Sequence, residues 1–429
     1  MSESRQRRRA VKLFFCGTSF YAKNLHKEWM SITDGVAKHY LIRGGFRGGK
    51  SEHTLTEADN QLLTVRERDC VNFAGPIAGQ KTGLLVSNGD RILVTRSPVL
   101  PIPKKGGFPL WEVILTEQYG DSLSYVLEWH RQAYLRVLKS GGPFLPALAI
   151  AGASGVGKSM LANVLTKALL GGRVGKPFRY MAGETPFNAD LCGAELLLLD
   201  DVPDRLKADK LALIRGEMKR VLADPTDSLH RKKADALTVP LVRALMVCLN
   251  AEAHNLRFLP LADTSMDDKL MLLRVLARPS VLPDANDFEA ERALGEKLRK
   301  EVPHLLWHLL HDFKLPKKMQ WRRGVPCYRA PELVSIAHED DAVTRLLWLI
   351  GKLNPLPAVA LAGPDWEKRL RAELDGLAEG VLGSGDRKLS VGHVLRDARK
   401  RYPLQVFEEG EKHGGLTKWR VVAAGEVKA

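Results

Sequence analysis

The stretch GASGVGKS, residues 152–159, decides the fold. It satisfies G-x-x-x-x-G-K-[ST], a glycine-rich turn whose backbone N–H groups surround phosphate. Such a turn works between a buried strand and a helix whose N-terminus faces the anion. Both neighbours are legible. FLPALAIA, residues 144–151, is an apolar run of strand length. MLANVLTKALL, residues 160–170, carries apolar residues at helical spacing and ends at the stop Gly171-Gly172. Gly152, Ala153, Ser154, Gly155, Val156, Gly157, Lys158, Ser159 and Met160 are therefore the expected phosphate cradle. Lys158 would reach the β and γ phosphates, and Ser159 would help hold Mg²⁺.

A second stretch, GGFRGGKS at residues 44–51, satisfies the same pattern without the same setting. Only HYLI precedes it. SEHTLTEADNQ follows it and offers no buried face for about two turns. It reads as a basic glycine loop, and Lys50 is not expected to hold a γ-phosphate.

Two further runs fit the first match. ELLLLDD, residues 195–201, is a buried strand ending in two acids. Asp200 can hold the water shell of Mg²⁺, and Asp201 can orient or polarise an attacking water. The same pair could be the solvated end of a core strand, but it supplies the oxygen ligands that the loop lacks. ALMVCLN, residues 244–250, is another apolar run, ending in a polar amide. Asn250 would stand at the same sheet edge, within reach of a γ-phosphate or lytic water. An Asn at this place is also a common turn residue, so its assignment rests on context.

Composition narrows the partner. The 429 residues carry a formal charge of +15, which favours a polyanion, either nucleic acid or an anionic membrane surface. No run approaches the ~18 apolar residues of a membrane span. RQRRR at the start is followed by an apolar stretch too short, and too soon interrupted by Lys12, for a secretion signal. The five cysteines, Cys16, Cys70, Cys192, Cys248 and Cys327, are far apart and never form a C-x-x-C pair. They read as reduced thiols of a cytoplasmic protein. Nucleic acid is the leading partner.

GASGVGKS, FNADLCGAELLLLDD, EMKRVLADPTDSLHRKKADALTVP and ALMVCLN occur in this order within roughly residues 120–280. Together they resemble the superfamily 3 helicases, especially the primase–helicase proteins of phages, plasmids and genomic islands. The resemblance implies an α/β fold, a P-loop NTPase core of AAA+-like type with a parallel sheet flanked by helices. It also implies a homo-oligomeric ring, a hexamer, that hydrolyses ATP with Mg²⁺ between subunits and moves along single-stranded or forked DNA. In this group a hairpin before the sensor strand projects into the ring channel. Here SLHRKK and ALTVP read as its two strands around Ala234-Asp235. The hairpin places Arg231, Lys232 and Lys233 on DNA phosphates, with Lys233 the best match to the family's lysine. A solvated basic loop is the alternative.

The chain departs from the family at the trans-acting cation. DDKLMLLRVLARP, residues 267–279, offers Lys269 at the matching position, with Arg274 and Arg278 close by. Lysine lacks the guanidinium fork. Arg274 is the first choice and Lys269 the second, though either could simply flank a final core strand.

The flanks say less. Residues 1–118 read as a small mixed α/β domain, with a hairpin at Asn88-Gly89 and a loop marked by Pro98, Pro101, Pro103 and Gly106-Gly107. No paired acids beside a matching His mark a primase, so any priming activity belongs to a separate protein. The resemblance implies an ATPase core over residues 119–284, opened by a helix over 121–138. Residues 285–363 are helical. His304, His308 and His311 share a helix face there, but the intervening Leu and Trp suit packing better than a metal. Residues 364–429 read as a winged-helix-like module, with a basic helix over 389–403 and two strands around His413-Gly414-Gly415. Glu408, Glu409 and Glu411 on the wing oppose phosphate contact there. The expected function is an ATP-dependent DNA helicase of a mobile element or phage. The alternative is a nucleotide-switched DNA-binding or partner-loading ATPase that unwinds nothing.

Overall fold

The computed structural model describes residues 11–49, 55–200, 202–203, 206–232, 234–261, 263–284, 286–319, 325–339, 342–353, 356–357, 359–382, 390–401, 406–408 and 417–422. Lys50, Asp201, Lys233 and the 413–415 turn lie outside them. The chain forms two compact units, Met1–Asn250 with Ala262–Ala330, and Ala251–Leu261 with Pro331–Ala429.

The first unit begins with an antiparallel sheet of β1 (Phe14–Cys16), β2 (Ser19–Lys23) and β3 (Trp29–Ile32). Helices α1 (Asp34–Arg43) and α2 (Glu57–Arg68) cover it through Phe20, Ile32, Leu41, Leu62 and Val65. HYLI belongs to α1, so a helix and not a strand precedes the first glycine-rich stretch. The segment after that stretch, expected to lack a buried face, buries Ala58 in the first turn of α2. One apolar residue per turn suffices because the sheet supplies the rest of this small core. A capping box starts the helix: the Thr56 hydroxyl accepts the Asp59 amide, and the Asp59 carboxylate accepts the Thr56 amide. A second small sheet follows, of β4 (Phe73–Gly75), β5 (Gly83–Ser87) and β6 (Asp90–Val94). Its hairpin turns on Asn88 and Gly89, with φ of 50° and 86°, the doubly positive turn that suits strand twist.

Helices α3 (Pro109–Tyr119) and α4 (Leu123–Leu138) lead into the central sheet. Its first strand is β7 (Ala147–Ala151), with every residue buried. The helix after the glycine-rich loop runs as α5 (Lys158–Met160), a π-turn over Leu161–Thr166, and α6 (Lys167–Leu169). Next come β8 (Val174–Gly175), α7 (Phe178–Met181), α8 (Ala189–Cys192), β9 (Leu196–Leu199) and α9 (Ala208–Ala223). A hairpin of β10 (Thr226–Leu229) and β11 (Leu237–Pro240) precedes β12 (Ala244–Leu249). After α10 (Ala253–Leu256), which belongs to the second unit, the chain returns as β13 (Leu270–Arg274) and α11 (Phe288–Trp307).

The sheet order is β13-β7-β12-β9-β8, and every pairing is parallel. Parallel strands need both faces covered, so they read as unbroken apolar runs instead of alternating ones. Trp111, Trp129, Leu161, Leu165, Leu298 and Leu305 cover one core cluster with Leu148, Ile150, Leu196, Leu198, Met246 and Leu273 of the strands. The parallel register brings the ends of β7, β9 and β12 to one edge: Leu249 lies opposite Ala151, and Val247 opposite Leu199.

The second unit holds α12 (Pro331–Glu339), α13 (Ala342–Ile350), β14 (Leu361–Ala362), α14 (Gly363–Leu382), α15 (Val391–Arg401), β15 (Val406–Glu408) and β16 (Lys418–Val421). β16 pairs with both β15 and β14. The two-residue β14 is too short for a periodic signal, which is why the sequence shows only two strands here. Trp366 and Trp419 are buried together, and the Trp366 indole N–H donates to the Trp419 carbonyl at 2.9 Å. No helix among the described residues is long and apolar enough to cross a membrane.

Candidate functional site

The glycine-rich loop leaves β7 at Gly152 and enters α5 at Lys158. Gly155 and Gly157 adopt φ of 75° and 89°, the left-handed region open to glycine. A Cβ on Gly155 would meet only the Arg278 guanidinium, at 3.9 Å, so the loop's apex is open on that side. Gly152 is the reverse case. A Cβ there would lie 2.8 Å from the Val275 carbonyl, so the last residue before the turn packs against the strand next door.

Lys158 folds back on the loop. Its ammonium donates to the carbonyls of Gly152 at 2.8 Å and Ala153 at 2.6 Å, and to Oδ1 of Asn250 at 3.1 Å. Asn250 follows β12, and Asp200 follows β9. The parallel sheet therefore gathers Lys158, Asp200 and Asn250 at one edge, although 92 positions separate the first from the last. Ser159 is exposed in the first turn of α5. Its hydroxyl and the Asp200 carboxylate are oxygen donors of the kind a hard cation such as Mg²⁺ takes. Asp200 is ion-paired with Lys176, which follows the short edge strand β8. The sequence carries no signal for that pairing, because two-residue β8 has no pattern of its own.

The candidate trans-acting cations are spread over β13 and the segments on either side of it. Arg274 ends the strand opposite Ala151, at the loop's edge. Arg278 donates from Nη1 to the Gly155 carbonyl at 2.9 Å and from Nη2 to the Pro283 carbonyl. Lys269 precedes the strand at the opposite edge, where its ammonium donates to the Ser265 carbonyl at 3.1 Å.

The basic hairpin is shorter than its sequence suggests. His230, Arg231 and Lys232 lie in the connection, not on β10. Arg231 donates to the Asn72 carbonyl at 2.7 Å and lies 5.0 Å from the Phe73 ring centroid. Lys232 lies 5.7 Å from the Phe187 ring centroid. Behind them, Leu229, Leu237 and Val239 pack with Phe73, Ile92 and Val94 in one cluster, which seats the hairpin on the N-terminal sheet. The three helical histidines separate. His304 Nδ1 is 2.8 Å from the Lys104 carbonyl, His308 faces Asp312 at 3.8 Å, and the His311 ring lies 4.0 Å from that of Trp307. A π-turn over His308–Asp312 changes the spacing that would have aligned them.

No protein-family model matches the sequence, and no curated protein matches it. Solved structures share its fold. The A form apo structure of the NrS-1 C terminal region is 12% identical, with a TM-score of 0.56, covering 96% of this chain and 97% of that one. A second apo structure, of NrS-1 C terminal region 305–718, is 13% identical, also with a TM-score of 0.56, covering 96% of each chain. The likeness is one of fold: it extends over nearly the whole of both chains, flanks as well as central sheet.

Proposed function

We propose that the chain is an ATP-dependent DNA translocase, a helicase of the superfamily 3 type that works as a homo-oligomeric, hexameric ring. The observation that carries this reading is the meeting of Lys158, Asp200 and Asn250 at the C-terminal edge of one parallel sheet. The loop amides and Lys158 bind the β and γ phosphates, and binding exchanges the Gly152 and Ala153 carbonyls for phosphate oxygens. Ser159 and Asp200 are the residues that would hold Mg²⁺, which neutralises charge developing on the phosphates. Asp201 orients the attacking water, and Asn250 senses the γ-phosphate from its place against Lys158. Arg274, and after it Lys269, are the residues proposed to act on a neighbour's nucleotide, while Arg278 holds the loop apex of its own chain.

Lys232 and Lys233 are proposed as the DNA phosphate contacts of the hairpin. Arg231 anchors the hairpin to the N-terminal sheet, as its bond to Asn72 supports. The 364–429 region is proposed as a winged-helix-like module, which the three-stranded sheet beside α14 and α15 supports.

The test is hydrolysis measured with and without single-stranded DNA, followed by unwinding of a forked duplex. Lys158→Ala is expected to reduce hydrolysis to background. Asn250→Ala is expected to lower kcat on the order of 10²-fold, as the loss of one preorganised polar contact does. Hydrolysis by Lys158→Ala at the wild-type rate would overturn the site. Hydrolysis without unwinding would instead favour the nucleotide-switched loading protein.

A further inference from the structure

The phosphate loop has two sides. Asn250 and Asp200 mark the β12 and β9 side, so a triphosphate lying along the loop directs its γ end there. Its nucleoside then lies on the other side, beside β13 and the loop after it. Helix α3 delivers Gln118 to that place, with no exposed surface. Gln118 Nε2 donates to the Val156 carbonyl at 2.6 Å. A carbonyl accepts only, so the amide must turn its NH₂ to the loop and its Oε1 away. Oε1 is buried and has no hydrogen-bond partner among the described residues. Buried acceptors are nearly always satisfied, so this orphan beside the loop leaves one bond for a ligand or a water to complete.

The surroundings have the chemistry of a base pocket. A Cβ on Gly157 would lie 3.0 Å from Gln118 Nε2, 3.3 Å from Leu282 Cδ1 and 3.5 Å from Met160 Cε. Gln118 of α3, Met160 of α5 and Leu282 of the loop after β13 thus converge beside Gly157, two of them apolar and the third an amide. The backbone also ties this corner together, since the Leu276 amide donates to the Gln118 carbonyl at 2.9 Å.

We propose that Gln118 reads the nucleobase: its Oε1 accepts a hydrogen bond from the 6-amino group of adenine, while Met160 and Leu282 move aside to cover the ring. Guanine presents a carbonyl at the same place, which would set acceptor against acceptor. This inference rests on the phosphate-loop reading of residues 152–159.

The experiment measures binding. Dissociation constants of ATP, GTP and purine riboside triphosphate, which lacks the 6-amino group, are obtained by competition against a fluorescent ATP analogue. The full chain and Gln118→Met, which keeps the size but not the acceptor, are compared. Wild type is expected to bind ATP about tenfold tighter than either competitor, the worth of one satisfied bond. Gln118→Met is expected to bind all three alike. Losing the Val156 contact alone would weaken all three in proportion and leave the ratio unchanged, so the ratio separates base reading from loop support. An unchanged ratio in Gln118→Met overturns the inference, as does equal binding of ATP and purine riboside triphosphate by wild type, a comparison that needs no variant. Failure of wild type to bind any triphosphate would overturn the phosphate-loop reading itself, a distinct result.

Discussion

At the scale of single residues, the interior of the first unit contains a titrating group that the proposed chemistry does not use. His130 on α4 is buried, with Nδ1 at 2.8 Å from the Val126 carbonyl and Nε2 at 2.9 Å from the Thr166 hydroxyl. Nδ1 therefore carries the proton and Nε2 accepts. Burial pushes the imidazole down to about 4, and the bond to Val126 opposes only part of that shift. The folded value lies below the ordinary one near 6.5, so the unfolded chain binds the proton first. Stability from this group is complete above about pH 6.5 and is lost as pH falls toward 4. Between pH 7.5 and 5 the loss is about 2 kcal/mol. Asp227, whose burial is outweighed by its pairs with Arg220 at 2.6 Å and Arg243 at 2.8 Å, is held below the usual carboxylate range. Its contribution is lost only at lower pH, so the two windows separate. Urea unfolding at pH 7.5 and 5 is expected to show a smaller drop in His130→Gln than in wild type. An equal drop would remove His130 as the cause.

At the scale of elements, the loop depends on how tightly β7 and β13 run together. The Val275 amide donates to the Ala151 carbonyl at 2.8 Å, and the Leu276 amide to the Gln118 carbonyl. The Val275 carbonyl therefore has little freedom to retreat from a side chain at Gly152, where a Cβ would stand 2.8 Å away. Gly152→Ala is expected to destabilise the fold by about 1–3 kcal/mol, as overpacking does, and to weaken nucleotide binding through the displaced loop. Urea midpoints and nucleotide dissociation constants check both parts. A variant with wild-type stability would mean that the strand ends move more freely than their hydrogen bonds indicate. The π-turn after α5 belongs to the same region: the Thr166 hydroxyl that meets His130 lies at its end, 3.1 Å from the Leu161 carbonyl.

At the scale of the whole molecule, the N-terminal segment is built onto the central sheet of its unit. Glu195, just before β9, is fully buried and ion-paired with Arg173, and its Oε1 accepts the Gly79 amide at 2.8 Å. The Ala78 amide donates to the Cys192 carbonyl, and the Val242 amide to the Ala78 carbonyl. Residues 78–79 thus link the N-terminal sheet, the approach to β9 and the approach to β12. Glu195→Leu would leave Arg173 and the Gly79 amide without their acceptor, at a cost of about 3 kcal/mol. Arg173→Leu with Glu195→Leu is expected to recover part of that loss, because no unpaired charge remains. Urea unfolding of the single and double variants measures the coupling. Strict additivity would show that the pair does not hold these segments together.

The sequence by itself determined the local elements. The glycine turn with its strand and helix, the leucine run ending in acids and the apolar run ending in Asn250 are all legible, because tight glycine turns and doubly buried parallel strands constrain consecutive residues. GGFRGGKS was separable on the same ground: it lacks the strand, and the structure places α1 before it. Only the tertiary structure decided which of these segments meet. The order β13-β7-β12-β9-β8 brings Asn250 to Lys158, sets Lys176 on Asp200 and carries Gln118 to Val156 from 38 positions away. It also fastens Arg231, which the sequence assigns to DNA, onto Asn72. Side-chain partners of this kind depend on strand order and register, which are set by packing between distant segments and leave no periodic trace in the residues themselves.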